Sequence, residues 1–306
     1  MEVMLAQPRG FCAGVIRAIE TVERAIRTYG IPIFVLHEIV HNRRVVEDLQ
    51  ARGVHFVEDV DGVPPGTVII FSAHGASTTV VEQAKRRNLQ IIDATCPLVT
   101  RVHHQAQRYS KQGMEVIIIG HPGHPEVEAT RGRIDGLAYV LTTRAEVDGL
   151  TVGNPERLAY ITQTTLSIDD TREVIDALKR RFPSIRGPNL SDICYATQNR
   201  QKAVHHMAKE IDLLLVVGSR KSSNSNRLRE AGEREGLPAY LIEDADDIDP
   251  AWLRAHEKIG VTAGASTPEV LVHGVLDRLC QLGVKRVQEM DGEPETMQFR
   301  LPEPQS

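Results

Sequence analysis

Three times in this chain a lone cysteine stands where a short strand gives way to a helix, and that recurrence narrows the folds open to it. In the first instance an apolar run, Val3-Met4-Leu5-Ala6, enters a turn at Pro8 and Gly10 and delivers Cys12. Val15, Ile16, Ala18, Ile19 and Val22 then follow at helical spacing. Cys96 and Cys194 occupy the same kind of junction, and Pro97 suits a first helical turn. A polar loop residue follows each cysteine at a near-constant distance: His41, His124 and Ser223 lie 29, 28 and 29 residues on. A second polar loop, marked by His74, Thr164 and Ser266, follows at 62, 68 and 72 residues. Units of similar size give similar spacings by chance, but here matched positions also carry matched chemistry, which favours a repeat.

Short β-branched runs at Ile31–Leu36, Thr67–Phe71, Val116–Ile119, Leu158–Ile161, Leu213–Val217 and Ile259–Thr262 read as buried strands. Helical patterns at Ser77–Arg87, Asp170–Arg181, Asn199–Glu210 and Pro268–Leu282 alternate with them, which predicts an α/β protein with mostly parallel sheets. Residues 1–95 form the first expected unit, 96–193 the second and 194–282 the third. The strand before Cys12 is expected to close the third unit, as Ile91–Thr95 and, less regularly, Gly187–Ile193 lead to the other two cysteines. Residues 283–306, rich in proline near their end, read as a docking tail. Ligands in open α/β sheets bind outside the carboxyl ends of strands. A pseudo-threefold arrangement would aim all six loops and the three cysteines at one centre.

Composition sets the compartment. In 306 residues, 41% hydrophobic and 25% charged side chains are those of an ordinary globular protein, and a net charge of -5 argues against non-specific nucleic-acid binding. The apolar runs are too short to span a membrane, and Arg9, Gly10 and Pro8 stand where a signal sequence would be apolar. A cytoplasmic chain is expected. In that compartment the four cysteines, none in C-x-x-C spacing, are not a disulfide framework.

Thiolates are favoured at helix N-termini. Three of them converging, at Cys12, Cys96 and Cys194, imply a metal centre. They fit a 4Fe–4S cluster with one iron left open, and zinc held by three cysteines and a histidine is the competing metal. Cys280, on the run Val275, Leu276, Leu279, Leu282, reads as core packing. His41, His74 and His124, with Ser222, Ser223, Asn224 and Ser266 at helix starts, form an anion pocket suited to a diphosphate. No glycine-rich nucleotide motif competes with that reading. Glu126, two residues after His124, is the candidate general acid, and Thr164 is a hydroxyl donor or a cap. Each of these residues alone has a blander role in capping or packing. Their matched positions carry the functional reading.

Taken together, these motifs resemble the 4-hydroxy-3-methylbut-2-enyl diphosphate reductase family over nearly the whole chain. The resemblance rests on Pro8-Arg9-Gly10-Phe11-Cys12-Ala13-Gly14, Val40-His41-Asn42-Arg43, Ser72-Ala73-His74-Gly75, Asp93-Ala94-Thr95-Cys96-Pro97, Gly123-His124-Pro125-Glu126, Thr162-Gln163-Thr164-Thr165, Ser222-Ser223-Asn224-Ser225-Asn226-Arg227 and Gly264-Ala265-Ser266. It implies a trefoil of three pseudo-threefold-related α/β domains around one 4Fe–4S cluster ligated by Cys12, Cys96 and Cys194. It implies a diphosphate held by His41, His74, His124, Ser222, Ser223, Asn224 and Ser266, with Thr164 and Glu126 serving the substrate hydroxyl. The implied reaction is the reductive dehydroxylation that yields isopentenyl and dimethylallyl diphosphates, with ferredoxin or flavodoxin supplying electrons. A non-redox hydro-lyase using the same open iron, and an iron–sulfur or zinc sensor, are the alternatives.

Overall fold

The β-branched runs become strands covered on both faces, as parallel sheets flanked by helices require. In Leu213–Val217 all five side chains are 0% exposed, and each such burial is worth roughly 1.5–3 kcal/mol. The computed structural model describes residues 1–188, 192–292 and 294–303. The irregular lead-in to Cys194 therefore lies partly outside the described residues, at 189–191, as does the chain end at 304–306.

The first part of the chain runs β1 (Glu2–Leu5), α1 (Ala13–Tyr29), β2 (Ile33–Leu36), α2 (Arg43–Ala51), β3 (Val54–Val57), β4 (Val68–Phe71), α3 (Thr78–Arg86) and β5 (Gln90–Asp93). Next come α4 (Pro97–Lys111), β6 (Glu115–Ile119), α5 (Pro125–Arg131), β7 (Ala138–Leu141), α6 (Arg144–Gly149), β8 (Leu158–Thr162) and α7 (Ile168–Arg181). The rest is α8 (Tyr195–Met207), β9 (Leu213–Val217), α9 (Ser223–Arg234), β10 (Ala239–Ile242), α10 (Pro250–Leu253), β11 (Lys258–Ala263), α11 (Glu269–Gln281) and β12 (Arg286–Glu289). Asp169 and Asp170 lie inside the first turn of α7, and the cap itself is Ser167, whose hydroxyl accepts from the Asp170 N–H.

By its contacts the chain divides into two compact units. Met1–Val15, His41–Val45 and Tyr195–Met297 make the first, and Ile16–Val40, Val46–Cys194 and Gln298–Ser306 make the second. The first unit holds one five-stranded sheet in the order β10-β9-β11-β1-β12. β1 pairs with β11 through Val3 opposite Ile259, and with β12 through Val3 opposite Val287. The second unit holds a four-stranded sheet, β3-β2-β4-β5, and a three-stranded sheet, β7-β6-β8. Every pairing among the described strands is parallel.

Parallel sheets put all their strand ends of one kind along one edge. His41 follows β2, His74 follows β4, His124 follows β6, Thr164 follows β8, Ser222 follows β9 and Ser266 follows β11. Each lies in a loop beyond the carboxyl end of its strand, the edge at which open α/β sheets bind ligands.

One expectation fails. Cys280 is exposed, not packed in the core. On α11 the buried residues are Val272, Val275 and Leu279, whereas Cys280 falls on the face of the exposed His273 and Asp277. Its neighbour Leu279 is the core residue, and one step along a helix turns the side chain by about 100°.

Candidate active site

Each of the three cysteines immediately precedes a helix: Cys12 before α1, Cys96 before α4 and Cys194 before α8. All stand as thiols with partial exposure. Cys96 is the N-cap of α4, with Pro97 at the first helical position. Backbone hydrogen bonds fix each one to a functional loop. Cys12 N–H donates to Ala265 O (3.2 Å), Cys96 N–H to Ala73 O (3.0 Å) and Cys194 N–H to Thr164 O (3.0 Å).

In the second unit these bonds place Cys96 beside the His74 loop and Cys194 beside Thr164, and the same unit gathers His124 and Glu126. The His74 and His124 rings meet edge to face, with centroids 5.7 Å apart. His124 caps α5 by accepting the Glu126 N–H at Nδ1 (3.2 Å), which leaves Nδ1 without a proton. A proton on this ring then sits on Nε2.

Glu126 is 2% exposed. Its Oε1 accepts the Thr164 N–H at 2.6 Å, and its Oε2 shares a hydrogen bond with the Thr164 hydroxyl at 2.9 Å. Burial pushes its carboxyl up to about 7 despite the two Thr164 bonds that favour the anion, and the charge of Asp192 adds to the rise. Here desolvation comes first, so the protein sets it before any substrate enters.

The first unit gathers the remaining candidates. The Ser266 hydroxyl donates to His41 O (2.9 Å), which ties the loop after β11 to the loop after β2. Asn224 accepts the Ala265 N–H at Oδ1 (2.8 Å) and donates to the Thr197 hydroxyl at 3.4 Å. Ser222 is the N-cap of α9, its hydroxyl accepting from Ser225 N–H (3.3 Å), and Ser223 is that helix's first residue. The first helical turns thus bring Ser222, Ser223 and Asn224 to the strand edge with backbone N–H groups that favour anions. A Cβ on Gly264 would lie 2.1 Å from the Ser225 hydroxyl, so only glycine lets the 264–266 loop close on α9.

Several residues here escaped sequence reasoning. Asp192 is 1% exposed, receives the Thr162 N–H, and is pushed up to about 6 by burial. Arg200, 0% exposed, donates to Gly10 O (2.8 Å), to Ala196 O (2.9 Å) and to both carboxylate oxygens of Glu295 (3.0 and 3.1 Å). His103 is buried and held down to about 3, first by burial and then by Arg133 and His104. The only signal for Asp192 and Arg200 was their closeness in sequence to Cys194, and nothing in a helical pattern flagged His103.

Among the described residues no three His, Cys, Asp or Glu side chains are grouped around one point as a single metal ion would need. An iron–sulfur cluster makes a different demand, one thiolate for each ligated iron, and three cysteines at helix starts supply that donor type. The donor set fits such a group.

The family model described as LytB protein matches residues 3–280. The 4-hydroxy-3-methylbut-2-enyl diphosphate reductase of Stenotrophomonas maltophilia strain K279a is 58% identical, over 99% of this chain and 97% of its own length. A solved structure of the E-1-hydroxy-2-methyl-but-2-enyl-4-diphosphate reductase from Plasmodium falciparum is 38% identical, with a TM-score of 0.94, covering 99% of this chain and 95% of that one. A second structure, of (E)-4-hydroxy-3-methyl-but-2-enyl diphosphate reductase, is 30% identical with a TM-score of 0.65, covering 92% and 99%.

Proposed function

The chain belongs to the LytB family, and from that premise we propose how its residues carry out the family's reaction. It is a 4-hydroxy-3-methylbut-2-enyl diphosphate reductase of the non-mevalonate isoprenoid route, an oxidoreductase that forms isopentenyl and dimethylallyl diphosphates. The reaction takes up two electrons and two protons, breaks the allylic C–O bond, and releases water.

The family implies an iron–sulfur cofactor. We assign it as a 4Fe–4S cluster, one per chain, held by Cys12, Cys96 and Cys194. When bound it supplies electrons and an open iron that acts as a Lewis acid on the substrate oxygen. The assignment is supported by the shared position of the three cysteines at helix starts.

The observation that carries the mechanism is the buried pair of Glu126 and Thr164. Hydroxide is a poor leaving group, so a proton must reach the oxygen as the bond breaks. A carboxyl pushed up to about 7 keeps its proton in about half of the molecules at pH 7, where an ordinary glutamate has lost it in nearly all. It shares a hydrogen bond with the Thr164 hydroxyl, which can accept that proton's bond and donate its own hydrogen to the substrate oxygen. His124, donating from Nε2, and His74 at its edge bind diphosphate oxygens. In the first unit, the residues assigned as diphosphate donors are Ser222, Ser223, Asn224, Ser266 and His41.

The test is anaerobic purification, iron and sulfide analysis, and turnover with reduced methyl viologen. Iron, sulfide and donor-dependent formation of the two diphosphate products are expected. Product formed without any electron donor would make the chain a hydro-lyase and sink the reductase reading. Among the described residues no helix is long and apolar enough to cross a membrane. Ferredoxin or flavodoxin is the proposed donor.

A further inference from the structure

α4, whose N-cap is Cys96, carries no acidic residue over its 15 positions. The whole chain has 41 Asp and Glu against 36 Lys and Arg, so an acid-free helix with three Lys and Arg residues runs against the average. Its exposed residues are Arg101, His104, Arg108 and Lys111. They fall at i, i+3, i+7 and i+10 and so form one stripe along the helix. The opposite face, with Val99, Val102, His103, Ala106, Tyr109 and Ser110, is buried. Arg157 extends the stripe past its end by donating to Gln112 O.

The dipole of the helix accounts for Arg108 and Lys111 in the last turns. It disfavours Arg101 near the first turn, where an acid would be stabilised. Arg101 stands 3.9 Å from the buried Asp192, two residues before Cys194, so the stripe begins beside both cysteine loops of the second unit. His104, Arg108 and Lys111 have no ion pair among the described residues. α8 is also free of acids, but its arginine is buried and its His205 is engaged by Glu235 at 2.7 Å.

We propose that the exposed basic face of α4 is the docking surface for an acidic electron-carrier protein. The proposal rests on the reductase reading, which requires two electrons from outside the chain. A single-sign stripe steers an oppositely charged partner and sets its approach. The stripe runs the length of Cys96's own helix, from Arg101, four residues after Pro97, to its last residue, Lys111.

The probe is an acidic flavodoxin, and binding to the holoenzyme is measured by calorimetry at about 0.02 M and about 0.3 M ionic strength. The variant pair is Arg108→Glu with Lys111→Glu. Lys179→Glu with Arg180→Glu, on the exposed basic end of α7, is the control. The expected result is salt-sensitive binding that weakens by about tenfold or more in the α4 variant and stays near parental in the control. Turnover driven by methyl viologen should be unchanged in both. Equal weakening in the two variants would show a net-charge effect and overturn the proposal. So would unchanged binding in the α4 variant, or a fall in viologen-driven turnover matching the loss of binding. Parental protein that turns over with viologen but does not bind the carrier overturns the docking surface alone. Parental protein inactive with viologen counts against the reductase reading instead, while the binding data still decide the surface.

Discussion

At Glu126 a carboxyl that would ionise in water keeps its proton near neutrality, because burial removes the solvent that stabilises its charge. The acid form is the useful one, so turnover should hold steady below about pH 7 and fall about tenfold per unit above it. Glu126→Gln keeps the shape and loses the proton. It should retain iron and product binding while turnover drops by about 10²–10⁴-fold. Near-parental turnover with intact iron would remove Glu126 from the mechanism. Gly75 makes a different demand. At φ +88°, a Cβ there would sit 2.5 Å from Cε1 of the buried His103. Gly75→Ala should therefore cost about 1–3 kcal/mol and disturb His74, its neighbour. Denaturant melts paired with the KM for substrate would show both effects, and parental values for both would mean His103 yields freely. Cys280 is exposed on the far face of α11, so Cys280→Ser should leave iron content and visible absorption intact. Loss of the cluster on that change would break the three-cysteine assignment.

Two arginines tie cysteine junctions to the end of the chain, one in each unit. In the first, Arg200 holds Gly10 O, two residues before Cys12, and is itself held by Glu295. In the second, Arg17 holds Thr95 O (2.9 Å), next to Cys96, and donates to Arg300 O (2.7 Å). Losing Glu295 would leave the buried Arg200 charge uncompensated, at a cost of about 3–5 kcal/mol, and losing the Arg300 carbonyl would remove a hydrogen bond from Arg17. Deleting residues 294–306 should thus raise amide exchange at 9–12 and 94–96 more than in the strands. Exchange unchanged at both junctions would show that the arginines hold them unaided. Nothing in the proline-rich run after residue 293 announces this role, since a single glutamate and a backbone carbonyl leave no periodic trace. Strands and helices were legible because β-branched runs buried on both faces have no polar alternation to confuse them. The cysteine positions were legible for the same reason, since a strand end and a helix start both leave strong local signals. The burial of Glu126, the ring orientation of His124 and the ties of Arg200 to Glu295 and Gly10 depend on contacts across 38, 2, and 95 and 190 residues. Only the second of these is local, and it turns on which ring nitrogen faces the helix.

Across the whole fold, two buried groups set opposing pH dependences. His103 is held down to about 3 from an ordinary value of 6.5, so the unfolded chain binds a proton that the native one refuses. Between pH 3 and 6.5 this makes stability rise with pH. Glu126 goes the other way. Its value is raised from 4.5 to about 7, so the native state keeps a proton that the unfolded chain has released. Its contribution is fully present below pH 4.5 and is lost as pH rises to about 7. Between pH 4.5 and about 6 these two slopes oppose each other, while Asp192, raised from 3.8 to about 6 by burial, adds a second falling one, so the parental protein should lose stability as pH rises there. Substitution uncovers the separate terms. Glu126→Gln removes its own falling term and leaves that of Asp192, so its stability relative to the parent should climb with pH, by about 3 kcal/mol between pH 4.5 and pH 7.5. His103→Gln removes only the rising one, and its stability should fall across the same range. Anaerobic denaturant titrations at half-unit steps measure both. A Glu126→Gln difference that stays flat with pH would mean that the native carboxyl ionises as it does in water, and the proton-donor role would lose its physical basis.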